Sequence, residues 1–325
     1  MYRCRVERHS VSPTGKEIVS FLVTYPRVVL AEVVTHRMVY EGSEHVELIC
    51  PERTATRDVS KNSASSRAIP YERLRQSIAA DPYIPAWTAN QKGMQGEGIA
   101  DQTTLDTARV WCRRGLENAL FGSDALAELG VHKQDCNRYL EPWMWVTQIL
   151  TATEWDNFFA LRCHKDAHPA FQRIARMMFL AKRKSIPDQL DYGQWHLPFV
   201  PRDQALALHW TPNPLGAPLY PQLIESIARC AWLSYENHEK DATFEACLAT
   251  YERLLGGEIK HASPIEHQAT PMHPAWESSY PNLRSNLRGW IQARKLIAGE
   301  RVEKYEPSDE EVSSWGIDES DLWPE

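Results

Sequence analysis

Apolar residues in this chain fall into two rhythms, period two and helical period, and the changes between them mark its elements. "VSFLVTYPRVVLAEVVTHRMV" predicts a short strand to Tyr25, a proline at a helix start and a helix to about Arg37. From Tyr40 to Val59 the pattern dissolves into mixed polar residues, a loop or small insertion. "SKNSASSRAIPYERL" predicts a Ser/Asn-rich turn leading into a helix near Pro70. Residues 81–98 are irregular, residues 103–128 predict a helix, and residues 134–162 predict two more, broken near Pro142. Within the last, Trp155, Phe158, Phe159 and Arg162 share one face. Three of these four want burial and the fourth is permanently charged. Either the arginine's stem runs along the surface with its head in water, or an anionic group waits for it inside.

Phe171, Ile174, Ala175, Met178 and Phe179 form another helical stripe, begun by Pro169. Residues 186–221 are proline-rich and predict a long connection with a soft boundary. Beyond it, "QLIESIARCAWLSYE" and "ATFEACLATYERLLGG" predict two amphipathic helices, the second with Phe244, Cys247, Leu248, Tyr251 and Leu255 on one side. The pattern is rich in helices and poor in clear strands.

Composition narrows the class. With 325 residues, 43% hydrophobic and 24% charged, the chain has the balance of a well-packed globular protein. No apolar run approaches bilayer length, and "MYRCRVERHSVSPTGKE" lacks the apolar middle of a signal peptide, so a cytoplasmic location is expected. Seven cysteines without a C-x-x-C pair suit a reducing compartment and no disulfide framework. The net charge of -7 is concentrated in an acidic tail, residues 306–325, and the rest balances at +1. That argues against a nucleic-acid polymer as partner but leaves room for a small anion. The tail reads as a solvated segment that Trp315, Leu322 and Trp323 would pin.

Several chemistries are absent: there is no P-loop, no G-x-G-x-x-G and no G-x-S-x-G. His164 and His168 are four apart, but "HKDAH" lacks the glutamate of H-E-x-x-H, and no metal is expected. Four polar clusters remain, "THR" at 35–37, "SKNSASSRAIP", "NRYLEP" and "HASPIEHQATP". Singly, each reads as the polar end of an element.

Together the clusters resemble the flavin-dependent thymidylate synthases. The family's R-H-R and S-x-N-x-x-S-x-R-Y signature is similar to His36 and Arg37 followed by Ser60, Asn62, Ser65 and Arg67. "NRYLEP" resembles its Arg-x-x-x-Pro segment, "LTATEWDNFFALR" the helix ending in its catalytic arginine, and "ARCAWLSYEN" with "HASPIEH" its A-R-x-C-Y-x-S and S-P-x-E-H elements. In the common arrangement these last two come first, so the order here resembles a circular permutation, as in a longer, phage-type branch. Permutation is tolerated when termini lie close together.

The resemblance implies an α/β (α+β) fold: a helix-rich single catalytic domain, residues 1–305, around a small mixed or antiparallel sheet, with an insertion at 38–59. It implies methylation of dUMP at carbon 5 from 5,10-methylenetetrahydrofolate, with FAD as cofactor and NADPH as reductant, in a homotetramer whose active sites lie between subunits. Arg162 would favour the ionised pyrimidine, with Ser65 beside it. Glu32, Ser63, Ser65, Ser66, Arg67 and Arg138 would bind the nucleotide. His36, Arg37, Asn62, Thr151, Thr153, Asn157, Glu266, His267 and Gln268 would bind the flavin. Thr35 and Ala68 replace a family arginine and tyrosine, Glu32 and Ser63 stand where Gln and Glu are usual, and Arg288 or Arg294 are candidates to restore the missing charge. The departures keep two alternatives open: a hydroxymethylase or dCMP-accepting relative, and a non-catalytic nucleotide- or flavin-binding protein.

Overall fold

The sheet begins with two long strands rich in β-branched residues, β1 (Arg3–Val11) and β2 (Glu17–Pro26), paired antiparallel. Their turn needs a left-handed residue, and Gly15 supplies it at φ +77°. The computed structural model describes residues 1–34, 59–92, 96–207, 220–240, 243–300 and 306–316. Three further strands, β3 (Ser60–Ser63), β4 (Trp145–Ala152) and β5 (Asp188–Gln189), complete a sheet of order β3-β4-β2-β1-β5, in which only the β1–β5 pair is parallel. A small hairpin, β6 (Ala269–Pro271) and β7 (Trp290–Gln292), stands apart.

Alternation along the strands gives the sheet two unlike faces. On one, Val19, Phe21, Val23 and Leu150 share a buried cluster with Trp155, Phe158, Phe171 and Met178. The Pro169–Lys184 helix forms there as its stripe predicts, with His168 accepting from Ala170 N at its start and three basic residues in its last turn. On the other face, Leu22 and Ile149 pack on Cys230 and Leu233, at the end of the Pro221–Trp232 helix. Ile18 meets Trp290, Leu287 and Ala269. The Phe244–Leu255 helix backs this layer with Cys247 and Tyr251, while Phe244 itself is exposed.

Two expectations are overturned. The middle of 134–162 is not helical: after short helical turns at Lys133–Cys136 and Asn137–Trp143 comes the strand β4, and only Asp156–Arg162 returns to helix. Val146, Thr147, Ile149 and Thr151 are β-branched, and a central strand buried on both faces shows no clean alternation, so its apolar run imitates a helix. Likewise "SKNS" is an edge strand and not a turn. Its inward Ser60 and Asn62 are held by side-chain partners across the chain, which local propensity does not register.

The proline-rich connection is tied into the fold. Trp195, Leu197, Val200 and Ala205 enter the same core as Leu223, Ile224 and Ile227. Asp188 is shared by Arg8 (3.2 Å) and Arg202 (2.5 Å). Helices at Tyr71–Ala80 and Gln102–Glu128 lie where expected. Of the helix expected to Arg37, Leu30–Val34 is seen; Thr35, His36, Arg37 and the insertion up to Arg57 and Asp58 lie outside the described residues. Among the described residues the cysteines are free, and no helix is long and apolar enough to cross a membrane. The tail contributes a short helix, Asp309–Ser314, and an exposed Trp315; Leu322 and Trp323 lie outside the described residues.

Candidate active site

The serine-rich turn after β3 is built from backbone bonds and tied from beneath. Ser65 O accepts from Ala68 N (2.9 Å) and Ile69 N (3.1 Å). The buried Asn137 donates to Ser66 O (2.6 Å) and Ile69 O (3.0 Å), and Lys133 donates to Ala68 O (2.8 Å). The Ser66 hydroxyl donates to Glu141, which also pairs with Arg27 at 2.9 Å. Arg67 is left exposed at the tip of this turn, with Ser65 half-buried and Ser63 on the strand behind. Next to it lies a cleft of about 420 Å³ lined by Arg27, Ala31, Arg138 and Glu141 among others, with Glu32 on the adjoining short helix. The site therefore offers a fixed turn beside a guanidinium-lined cleft, an arrangement suited to a phosphate. Asn137, Lys133, Glu141 and Arg27 were not singled out in the sequence, because nothing local distinguishes them from ordinary polar residues.

A second cleft, of about 450 Å³, opens where β3 meets the C-terminal layer. Asn62, Trp232, Tyr235, Arg253, His261 and Ser263 are among its lining. The Asn62 carboxamide donates to Cys230 O (3.4 Å) in one orientation, and to Lys61 O (2.8 Å) and Ser263 O (3.3 Å) in the other. Trp232 is pinned by its indole N–H to Thr250 (3.0 Å), and His261 by its backbone N–H to Leu254 O (2.9 Å). Ser65 N donates to Ser234 O (3.1 Å), which joins the serine turn to the cleft wall. Three stretches distant in sequence, "SKNSASS", "ARCAWLSYE" and "HASP", thus meet around one opening. Aromatic faces, a guanidinium, an imidazole and an amide fit a ring system bearing phosphate, such as a nucleotide or part of a flavin dinucleotide. His261 and Ser263 were passed over in the sequence in favour of the later Glu266 and His267, although the whole H-x-S-P-x-E-H string was visible.

Those later residues lie elsewhere. His267 and Gln268 are fully buried beneath the cleft, bonded to their own chain. Ser10, His196, Ser20, Thr151 and His267 form one buried hydrogen-bonded chain, with successive distances of 3.0, 2.8, 2.6 and 2.9 Å. Burial pushes His267 down to about 3 and, with help from the Arg8 charge, holds His196 well below the usual imidazole range, so both rings are neutral. Gln268 donates to Ser226 (3.1 Å), and Gln292 bridges Glu266 O (3.0 Å), Asn286 (2.9 Å) and Ser60 (3.3 Å). Flavin contacts expected of His267, Gln268 and the fully buried Thr151 do not fit these positions in a single chain. They fit a scaffold that registers the 263–268 segment on the sheet. Among the described residues His267 Nε2 and Gln268 Oε1 have no hydrogen-bond partner.

The remaining candidates sit at the end of β4. Thr153 accepts from Arg288 N (3.1 Å), and Arg288 pairs with Glu154 (2.7 Å). Arg294 pairs with Glu266, whose carboxyl burial raises above the ordinary range, and with Glu300 (2.6 Å). Both conjectured substitutes for the missing family arginine already hold carboxylates. Arg162 ends its helix half-buried, its guanidinium 4.9 Å from the centre of the Phe171 ring. Its buried Nε has no hydrogen-bond partner among the described residues, and neither does Asn157 Nδ2. Phe171 belongs to the sheet face opposite the cleft. One chain therefore brings Asn62 and Ser65 together with the cleft but leaves Arg162 on the other side.

Residues 3–188 match the family described as thymidylate synthase complementing protein, the flavin-dependent thymidylate synthases. The chain belongs to this family. The matched span holds the serine turn, β4 and Arg162, while the cleft's C-terminal wall lies beyond it. No curated protein matches the chain. Among solved structures it is similar to a UMP/dUMP methylase, PolB, from Streptomyces cacaoi. The form bound with 5-Br UMP aligns at 15% identity and TM-score 0.38, over 52% of this chain and 70% of that one. The form bound with 5-Br dUMP aligns at 17% identity and TM-score 0.38, over 52% and 66%.

Proposed function

We propose that the protein methylates dUMP at carbon 5, taking the one-carbon unit from 5,10-methylenetetrahydrofolate, with FAD as cofactor and NADPH as reductant. The observation that carries this reading is the convergence of the family's serine turn with the "ARCAWLSYE" and "HASP" stretches around one cleft. That convergence is also what a circular permutation of the common order would produce.

Bound flavin would supply the hydride chemistry. The chain's own residues bind and bias the pyrimidine. Arg67 and Arg138, both exposed beside the serine turn, hold the phosphate, with Ser63, Ser65, Ser66 and Glu32 around the nucleotide. Asn62, His261 and Ser263 hold the flavin in the cleft, and Thr153, Asn157 and Glu266, with His36 and Arg37, add contacts from the edges. Arg162 keeps a desolvated positive charge for the ionised ring. Its stacked, half-buried setting, with a donor unmet, is that of a cation kept for an anion, which favours the interior alternative over a snorkelling side chain.

Because Arg162 and the cleft lie on opposite faces of one sheet, a complete site needs another copy's arginine. That supports a homotetramer with sites between subunits. Co-expressing Arg162→Ala with His261→Ala should restore part of the activity that each variant lacks alone, since some sites then combine two intact halves. The activity itself is tested with FAD, NADPH and methylenetetrahydrofolate, giving dUMP and dCMP in separate reactions and weighing the products. A methyl gain on dUMP alone supports the reading; a hydroxymethyl product, or turnover of dCMP only, replaces it with the sister chemistry. Failure of the protein to bind FAD would sink both.

A further inference from the structure

We propose that Arg73 is a positioning residue for the cleft: its guanidinium holds the 233–237 turn in a left-handed conformation and so fixes the wall on which a bound flavin ring rests. The inference rests on the reading of that cleft as the flavin site.

The turn follows the Pro221–Trp232 helix through a tight 3-10 stretch, Leu233–Tyr235, and reverses at Glu236, with φ 56° and ψ 37°. A helix end of this kind ordinarily carries glycine, because a β-carbon crowds the following carbonyl there. Glutamate at that position persists only if its surroundings hold it. Backbone bonds contribute, from Glu236 N to Leu233 O (3.0 Å) and from Asn237 N to Trp232 O (3.1 Å). The rest comes from Arg73 on the Tyr71–Ala80 helix. It donates to Tyr235 O (3.2 Å), Glu236 O (3.2 Å) and Asn237 Oδ1 (3.3 Å), with the Glu236 carboxylate at 3.8 Å. Successive carbonyls of an extended chain point to opposite sides, so one guanidinium reaches two in a row only when the backbone is turned. The planar fork is selective for that shape, and a lysine would meet it at one point only.

The same turn is gripped a second time, by Ser65 N on Ser234 O. Arg73 and Ser65 stand eight positions apart, on the serine turn and the helix that follows it. Between them they fasten Ser234 and Tyr235, both in the cleft lining, to the element assigned to the nucleotide. Arg73 itself does not line the cleft and is about half exposed, 47%, so its replacement need not disturb the core.

The test uses the full chain. FAD is titrated against wild type, Arg73→Ala, Arg73→Lys and the double variant Arg73→Ala/Glu236→Gly, following flavin fluorescence, with thermal midpoints recorded in parallel. Arg73→Ala should bind FAD about tenfold or more weakly, Arg73→Lys should recover little, and the double variant should regain most of the affinity, because glycine accepts the left-handed turn unaided. Wild-type affinity in Arg73→Ala would overturn the proposal, and so would a loss that Glu236→Gly does not relieve. If wild type binds no FAD, the reading of the cleft fails instead.

Discussion

Phe21 and Ser20 are neighbours on one strand, and each shows what its side of the sheet is made of. Phe21 meets Trp155 edge to face at 4.9 Å within an apolar cluster of aromatic and aliphatic side chains. Ser20, pointing the other way, shares a 2.6 Å hydrogen bond with Thr151 in a buried chain that includes two imidazoles. The first face is held by area removed from water, a force with no preferred direction. The second adds to its apolar contacts, Leu22 and Ile149 on Leu233 and Ile18 on Trp290, hydrogen bonds whose donors and acceptors must meet, and a misfit there leaves polar groups unsatisfied at high cost. The polar face is the one that carries the cleft. Both sides supply adhesion, and the polar chain on the second adds alignment of the site.

The widest separation between the two faces should be seen in turnover. Arg162→Ala, at the edge of the apolar face, is expected to keep the fold and the flavin yet lose about a hundredfold or more in rate. Arg162→Lys should recover little, because a point charge does not reproduce the planar fork. A wild-type rate of reduced-flavin oxidation in Arg162→Lys, in single turnover with saturating nucleotide, would return this arginine to a merely packed side chain.

Stability should divide the faces next. Phe171→Ala empties a fully buried position and should cost about 3–5 kcal/mol by denaturant titration. On the polar face, Thr151→Val leaves His267 Nδ1 without its partner and Ser20 with His196 alone, and should cost about 1–3 kcal/mol, while His196→Ala adds a cavity to a loss of the same kind. If Thr151→Val proves harmless, the buried chain is not what aligns the two layers.

Acid should act on the polar face selectively. His196 and His267 have folded values depressed far below the unfolded one, about 6.5. Their contribution is complete above that value. As pH falls below it, the unfolded chain takes up protons that the folded chain refuses, so stability declines toward pH 3. Replacing both histidines should flatten that decline between pH 6.5 and pH 4; an unchanged slope would place the acid sensitivity elsewhere. The smallest effect is expected from deleting residues 306–325. Flavin spectrum and turnover should stay nearly unchanged, since Trp315 is 47% exposed and lines neither cleft. Loss of the oligomer on deletion would reveal an interface there.

How much of this was legible in the residues depended on whether the forces were local. The Pro169 helix announced itself because a stripe, a favoured proline and a cap coincide within a few positions. β4 did not, since a strand covered on both sides loses its alternation, and "TATEWDNFFALR" blends strand and helix without a break in hydrophobicity. β3 was hidden for the opposite reason: Ser60 and Asn62 are strand residues only because partners more than 160 positions away bond to them. The site followed the same rule. Asn62, Ser65 and Arg67 stand out as candidates because they form a string, whereas Arg73 and Asn137 act on backbone carbonyls and leave no pattern of their own. The H-x-S-P-x-E-H string does not tell its two histidines apart, yet the fold sets His261 in the cleft lining and buries His267.

β3 takes its place from what lies across it and not from the chain that leads into it. Ser60 and Asn62 fix this edge strand from its far side, and its pairing with β4 runs residue by residue from Ser60↔Thr151 to Ser63↔Gln148. Upstream, the Leu30–Val34 helix follows the end of β2 through the Arg27–Val29 turn. The places of Ser65 and Arg67 are therefore inherited from β4, whose register the serine turn continues through Ala64 N on Thr147 O (2.8 Å).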